Sequence, residues 1–202
     1  QQSEANMEAA LKAVTKPMQD EGILTVHTVI EANEFLEGIS ICTQSLRGMP
    51  LPPNIMFLSM SDEHGKNERL EALMSIASRE GMGIVVVKMH PEKGLGEKQK
   101  INLWLGTKSP NRNLSVLTAL QLERNWKGYL NLVHAAEDAE KVLRARKRLR
   151  AIASVARLPL DTTVSVQVGD FFETIPAGSE ADLNIFGIPE VLDLNTMRRA
   201  AE

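Results

Sequence analysis

The stretches IMFLSM, at residues 55–60, and IVVVKM, at residues 84–89, are almost continuously apolar. Parallel strands that helices cover on both faces have this character, whereas a strand with one face in water alternates apolar and polar side chains. Residues 67–80 between them have apolar side chains at helical spacing and are followed by Gly81, a residue suited to the left-handed conformation that ends helices. The two stretches are therefore predicted to be central strands of an α/β fold.

The same alternation of short β-branched runs and helical segments continues along the chain, as is typical of a parallel sheet between helices. Seven strands are predicted, at residues 23–30, 55–60, 84–89, 101–105, 129–134, 164–168 and 183–188. Apolar spacings of three and four predict a helix over residues 137–157. A first helix over residues 4–21 contains Pro17, which removes a backbone donor and is expected to kink or split the helix near Lys16.

A polar, glycine-containing segment, HPEKGLGEKQK, suggests a boundary between two lobes. We expect a first α/β lobe at residues 1–91, a linker at 92–99 and a second α/β lobe at 100–202. The sequence opens on a helix and closes on another, at residues 196–201, and neither lobe has the five or more strands usual in doubly wound sheets. We therefore expect N-terminal strands of the first lobe and the last strand of the second lobe to lie outside this sequence.

Composition places the 202 residues among ordinary globular proteins, with 43% apolar and 24% charged residues. A net charge of -3 gives no overall field that would draw the chain onto nucleic acid or an anionic membrane. The single cysteine, Cys42, excludes an internal disulfide and fits a reducing compartment. The sequence has no apolar run of the roughly 20 residues that a spanning helix needs, and residues 1–8 lack the pattern of a secretory signal.

Catalytic and metal-binding patterns are missing from the sequence. The histidines, His27, His64, His90 and His134, are scattered and include no H-E-x-x-H pair, and a single cysteine supplies no thiolate cluster. No G-x-S-x-G turn is present. The nearest arrangement is LSMSDEHG at residues 58–65, at the carboxyl end of a strand. Consecutive residues rarely converge on one point, so a polar loop is favoured there over a hydrolase site.

Two further features could bind anions. The segment GLG, residues 94–96, lacks the Lys-Ser/Thr of a phosphate loop and leads into a strand, so it is a weak nucleotide candidate. The basic run comprises Lys141, Arg144, Arg146, Lys147, Arg148 and Arg150. It is interpreted as a solvated helix face, with contact to anionic lipid or to an acidic partner surface as the open alternatives. Nucleic acid is disfavoured because two tryptophans, one tyrosine and five phenylalanines leave little stacking surface. No catalytic, cofactor-binding or metal-binding residue is predicted.

Four stretches, in order, resemble the cytoplasmic C-terminal domain of the cation-chloride cotransporters, which are sodium-potassium-chloride and potassium-chloride carriers of the amino acid-polyamine-organocation superfamily. Residues 35–60, FLEGISICTQSLRGMPLPPNIMFLSM, are similar to a helix, a bend and a Pro-Asn that opens an apolar strand. Residues 81–95, GMGIVVVKMHPEKGL, resemble the Gly-led strand and its loop. Residues 101–133, INLWLGTKSPNRNLSVLTALQLERNWKGYLNLV, resemble a Trp-bearing strand, a Leu-rich helix and a second strand. LNIFGIPE, residues 183–190, is similar to the late strand.

The resemblance implies two lobes like universal stress proteins, each a mostly parallel sheet flanked by helices. It further implies a non-catalytic regulatory and dimerisation domain at the cytoplasmic face of the membrane, joined to the membrane domain of the same polypeptide. Animal members carry a long insert where this chain has only the short stretch at residues 91–99, which indicates a prokaryotic member. A nucleotide-sensing domain of the universal stress kind is the alternative function, although the Gly-rich phosphate motif of those proteins is missing.

Overall fold

The computed structural model describes residues 2–27, 29–61, 64–106, 109, 111–177, 180–187 and 194–201. By contacts between residues the chain divides into two compact units, residues 1–56 with 72–84 and residues 57–71 with 85–202. Helices and strands alternate from residue 100 onwards. None of the helices in the described ranges has both the length and the apolar character that crossing a membrane requires.

The helices are α1 (Gln2–Asp20), α2 (Phe35–Leu46), α3 (His64–Arg79), α4 (Arg112–Trp126), α5 (Val142–Val155), α6 (Phe171–Ala177) and α7 (Leu194–Ala201). The strands are β1 (Ile55–Ser59), β2 (Gly83–Val87), β3 (Lys100–Trp104), β4 (Tyr129–Ala136), β5 (Thr163–Val168) and β6 (Leu183–Phe186). Six of the seven predicted strands are confirmed, with small shifts at their ends; Ile188, the predicted end of the last one, lies outside the described residues. The prediction of an α/β fold with parallel sheets flanked by helices is confirmed.

The larger sheet has four parallel strands in the order β5-β4-β3-β6. Successive side chains of a strand point to opposite faces, and one face of this sheet is the main hydrophobic core. Its buried members are Ile101, Leu103, Leu105, Val116, Ala119, Leu130, Leu132, Leu149 and Leu158. These side chains come from the strands and from α4 and α5, so both helices cover the same face.

The opposite face of this sheet carries what we call the asparagine row. Asn102 on β3 is aligned in register with Asn131 on β4 and with Asn184 on β6. Asn102 Nδ2 donates to Asn184 Oδ1 at 3.2 Å, and Asn131 Nδ2 donates to Asn102 Oδ1 at 3.0 Å. The hydroxyls of Thr163 and Ser165 on β5 donate to Asn131 Oδ1 at 2.9 Å and 3.0 Å. One chain of hydrogen bonds therefore crosses all four strands.

Aromatic side chains cover the carboxyl end of that same face. The ring of Trp104 meets Phe171 of α6 edge to face at 5.8 Å and stacks on Phe186 of β6 at 6.0 Å, both favourable geometries for aromatic pairs. The guanidinium of Arg199 on α7 lies 4.2 Å from the ring centre of Phe172, which is within range of a cation–π interaction. The aromatic contacts thus attach α6 to the sheet, and the cation–π contact attaches α7 to α6.

β1 and β2 form a separate two-stranded sheet. Gly83 N donates to Asn54 O and Met60 N donates to Val87 O, both at 2.8 Å, so the strands run in the same direction. The prediction that both are central strands covered on both faces is wrong: the sheet has no third strand among the described residues, and Phe57 of β1 is 68% exposed. An apolar run shows that a strand avoids water but does not identify what covers it.

The predicted strand at residues 23–30 is also wrong. No strand forms at residues 23–27 or 29–30, and Leu24 and Val26 are 75% and 61% exposed; Thr28 lies outside the described residues. Alternating β-branched side chains favour extended backbone. A strand, however, also needs a neighbour that accepts and donates its hydrogen bonds.

Two helices differ from their predicted form. α1 continues through Pro17 and is not split at Lys16, and Glu21 N donates to Pro17 O at 3.2 Å. Pro17 removes the hydrogen bond that a backbone N–H would donate to Ala13 O, and because it lies in the last turn the ladder before that point is unaffected. The helix predicted at residues 137–157 begins instead with the short 3₁₀ turn Ala139–Lys141, and Asp138 caps that turn by accepting from Lys141 N at 3.0 Å.

We predict that Asn102→Ala destabilises the fold through the asparagine row. Asn102 is 3% exposed, and its loss leaves Asn131 Nδ2 without its amide acceptor inside the sheet. An unpaired polar group in the interior costs about 1–3 kcal/mol. Urea unfolding should show a loss of roughly that size, whereas Asn125→Ala on the exposed side of α4 should change stability by no more than about 0.5 kcal/mol. Equal effects of the two substitutions would contradict the role of the row.

Candidate functional site

His90 and His134 have hydrogen-bond partners within the fold. His90 Nδ1 accepts from Glu92 N and Lys93 N, each at 3.2 Å, and therefore stabilises the turn after β2. His134 Nδ1 lies 2.6 Å from Leu105 O, at the end of β3. Within the described ranges, no three His, Cys, Asp or Glu side chains lie close enough together to hold a metal ion.

The serine-containing loop after β1 falls largely outside the described part of the chain. Ser59 ends β1 and Ser61 follows it, but Asp62 and Glu63 lie outside the described residues, as does the side chain of His64. The hydrolase alternative at this loop stays a prediction from sequence.

The segment that follows GLG, residues 97–100, binds an anion that the chain itself supplies. One carboxylate oxygen of Asp182 accepts from Glu97 N at 2.9 Å, and the other accepts from Gln99 N at 2.9 Å and Lys100 N at 2.8 Å. Asp182 N in turn donates to Lys100 O at 2.9 Å, at the start of the pairing between β3 and β6. We call this set of four hydrogen bonds the Asp182 clasp. The three donors after the GLG segment are thus engaged by a side chain, while Gly94 N and Gly96 N donate to the backbone oxygens of His90 and Lys93.

Gly96 permits the clasp for two reasons. Its φ is +59°, in the left-handed region that favours glycine. A Cβ at this position would also overlap the Asp182 carboxylate. Gly94 has nearly the same φ, +57°, but a Cβ there would meet nothing within 4 Å. Only Gly96 is therefore required by the approach of the carboxylate.

The hydrogen bonds of the clasp lower the pKa of Asp182 below its usual value. The contributions come, in order of size, from the backbone donors of Lys100 and Gln99, with smaller ones from Glu97 N and from the charge of Lys100. Partial burial acts in the opposite direction and is outweighed. The ionised carboxylate is thus the form that the fold selects.

The basic run lies on α5, where residues 142–155 contain five cations and no acid. Arg148 is partly buried, and its Nη2 donates to Gly106 O at 2.6 Å, beyond the end of β3. Burial lowers the pKa of Arg148, and the nearby charge of Arg112 lowers it further. The other four cations, Arg144, Arg146, Lys147 and Arg150, are exposed. We call these four the basic face of α5.

Lys141, the remaining member of the basic run, is neutralised locally. Its ammonium group contacts the carboxylates of Glu137 and Asp138. Hydrogen bonds, first from Glu137 and then from Asp138, raise the pKa of Lys141. By contrast, none of the four cations of the basic face has a carboxylate within 4.0 Å in the part of the chain that the structure describes. The basic run therefore has three parts: Lys141, which is paired with carboxylates, Arg148, which is partly buried, and the basic face of α5, whose charges have no carboxylate nearby among the described residues.

Comparison with known proteins finds matches that together cover the whole chain. Residues 1–95 match the family model for the first part of the C-terminal domain of prokaryotic cation-chloride cotransporters, and residues 96–202 match the model for the second part. A solved structure described as the cytoplasmic domain of a prokaryotic cation chloride cotransporter is similar with a TM-score of 0.82 and 26% sequence identity. That similarity covers 96% of this chain and 75% of the solved chain. No curated protein matches the chain.

We predict that Gly96→Ala destabilises the protein more than Gly94→Ala. Both substitutions place a Cβ on left-handed backbone, at a cost of about 1–2 kcal/mol, and so they share that penalty. Gly96→Ala must in addition displace the Asp182 carboxylate from its backbone donors. Thermal unfolding of the two variants measures the difference. Equal losses would show that the clasp contributes nothing at this position.

The Asp182 clasp also predicts a pH dependence of stability. A carboxylate whose folded pKa is lowered stabilises the fold above its unfolded pKa, and the contribution is lost as the pH falls through the folded pKa. Asp182→Asn should therefore be less stable than the parent protein at neutral pH. The difference in free energy of unfolding should shrink as the pH is lowered below about 4, the unfolded pKa of an aspartate. A difference that stays constant with pH would contradict this account.

Proposed function

The chain belongs to the C-terminal domains of the prokaryotic cation-chloride cotransporters, and from that we propose that it is the cytoplasmic regulatory and dimerisation domain of such a transporter, without catalytic activity. The observation that carries the proposal is the similarity, at 26% identity over 96% of the chain, to a solved cytoplasmic domain of the same kind of transporter. In this role the domain is joined to the membrane part of the same polypeptide and lies at the cytoplasmic face of the membrane.

The absence of catalysis is part of the proposal, and the local chemistry supports it. The backbone donors of Glu97, Gln99 and Lys100, just after the GLG segment, are occupied by Asp182, and His90 and His134 hydrogen-bond to backbone groups. A transporter domain needs none of these groups for a reaction. Its contribution is to bind the other copy and to transmit a conformational signal.

Exposed apolar side chains support dimerisation through the first part of the chain. Of the 20 large apolar side chains that are exposed in the described ranges, 13 lie between Met7 and Phe57. Such a concentration on the surface of a folded domain is typical of a region that another surface covers. In a dimer of this domain, a second copy provides that surface.

One regularly spaced part of this surface is on α1. Met7, Val14 and Met18 are 47%, 65% and 46% exposed, and Leu11 between them is partly buried. The spacings of four, three and four residues form the stripe that two paired helices bury between them. The order of spacings is the same from either end, so the stripe also matches a second copy running antiparallel. A two-fold dimer interface requires this self-complementarity.

The division into lobes at residues 1–91 and 100–202, with 92–99 between them, is also proposed. The two family models meet between residues 95 and 96, inside that segment. The segment is made of turns, and its last residues are held by the Asp182 clasp. We therefore propose a short, restrained connection between the lobes.

Sedimentation of the purified chain over micromolar concentrations tests the dimer. We expect a monomer–dimer equilibrium that Val14→Glu combined with Met18→Glu weakens at least tenfold, by roughly the effect of losing one buried apolar side chain. Ala13→Glu combined with Gln19→Glu adds the same charge on exposed positions outside the stripe and should leave the equilibrium unchanged. A strictly monomeric parent chain would contradict autonomous dimerisation. Equal weakening by both pairs of substitutions would show that the apolar stripe of α1 is not part of the interface.

A further inference from the structure

The basic face of α5 is turned away from the sheet. Ala145 and Leu149 of the same helix are buried against the sheet. At about 100° per residue, the four cations of the basic face lie within an arc of about 160° on the opposite side of the helix. Because α5 contains no acid, this arc is positive throughout, in a chain whose net charge is -3.

One exposed apolar side chain, Leu143, lies among these cations, and two others lie near the end of the helix. Leu143 is 64% exposed and lies on one line with Lys147 and Arg150, four and seven residues further along the helix. At the other end of α5, Val155 is 86% exposed and Leu160, shortly after the helix, is fully exposed. Helices that lie at the surface of a membrane combine exposed cations with apolar side chains in this way.

We propose that the basic face of α5, together with Leu143, binds the anionic lipid surface of the membrane in which the transporter resides. The proposal depends on the cytoplasmic placement proposed above. Each cation close to an anionic bilayer strengthens binding by about fivefold, because the surface potential attracts it within a Debye length. Attachment to the membrane part of the same polypeptide raises the local concentration of lipid, so a weak surface suffices.

Two other occupants fit the observations less well. The positive charge would also attract nucleic acid. Bases would have little surface to stack on, however, because the chain has only two tryptophans and one tyrosine and α5 contains no aromatic residue. An acidic protein surface would satisfy the cations but does not account for Leu143, Val155 and Leu160 in water. A bilayer accommodates both groups of side chains.

Flotation with lipid vesicles tests the proposal. We use phosphatidylcholine vesicles with and without phosphatidylglycerol, at physiological and at raised ionic strength. The parent chain should bind the anionic vesicles and not the neutral ones. The quadruple variant Arg144→Gln, Arg146→Gln, Lys147→Gln and Arg150→Gln should bind the anionic vesicles about 600-fold more weakly, since each of the four cations contributes about fivefold. All four positions are exposed, so its thermal unfolding should match that of the parent chain.

A matched control removes the same charge elsewhere. Lys16→Gln, Lys93→Gln, Arg124→Gln and Lys127→Gln replace four exposed cations that are not members of the basic face, and the proposal predicts that vesicle binding stays within about twofold. Equal losses in the two variants would mean that only net charge matters and would overturn the proposal. Equal binding of the parent chain to neutral and anionic vesicles, or to neither, would also overturn it.

The substitution Leu143→Ser distinguishes binding to a lipid bilayer from binding to anions that are not part of a bilayer. It should weaken vesicle binding by a similar factor at both ionic strengths, because burial of an apolar side chain is not screened by salt. Competition by free phosphate, or no effect of Leu143→Ser, would indicate anion binding without a bilayer and would overturn the proposal.

Loss of self-association in the quadruple variant, with vesicle binding retained, would overturn the proposal and assign the basic face of α5 to contact with a second copy. A monomeric parent chain that still binds anionic vesicles would contradict dimerisation and leave this proposal supported.

Discussion

The carboxylate of Asp182 holds the beginning of the four-stranded sheet together. It satisfies three backbone donors in the segment that leads into β3, while its own N–H begins the pairing of β6 with β3. β6 follows β5 in the chain but lies on the other side of the sheet, next to β3. The clasp therefore fixes the one pairing of this sheet that the order of the chain does not bring about by proximity, and β3 becomes an inner strand because of it.

The asparagine row has the complementary role of specifying register. Burial of apolar side chains on the α4 and α5 side favours many alignments that keep Leu and Ile inside. A shift of one residue would turn each asparagine into that core, and a shift of two would separate Asn102 from Asn131 and Asn184. Because unpaired amides in the interior are costly, the hydrogen-bonded alignment is selected over its apolar competitors.

Much of the fold could be predicted from the sequence, because apolar runs and helical spacing identify elements. Residues 23–30 show the limit, since β-branched side chains indicate an extended backbone but not the presence of a pairing partner. The asparagine row does have a signal in the sequence. The strands contain the similar stretches INLW, LNLV and LNIF, each with an asparagine, a residue that strands disfavour, among apolar neighbours. An asparagine repeated among the apolar residues of several strands indicates that these side chains contact each other across the sheet.

The candidate site was less predictable than the fold. Composition alone identified the basic run, yet it could not distinguish Lys141, paired with Glu137, from the exposed cations, or find the contact of Arg148 with Gly106 O. The residues 94–96 by themselves indicate only a weak site for an external phosphate. Nothing local in the sequence indicated that Asp182, more than 80 residues away, would fill its place.

That separation in the chain has a consequence for synthesis on the ribosome. The backbone donors of Gln99 and Lys100 acquire their acceptor only when a residue 83 or 82 positions later has emerged. At bacterial translation speeds this interval is roughly 4 to 16 s. During it β3 has an open edge, the kind of edge to which other unfinished chains add. Two nascent copies made side by side would be exposed to mispairing at this edge, so the timing of translation bears on how faithfully the domain assembles.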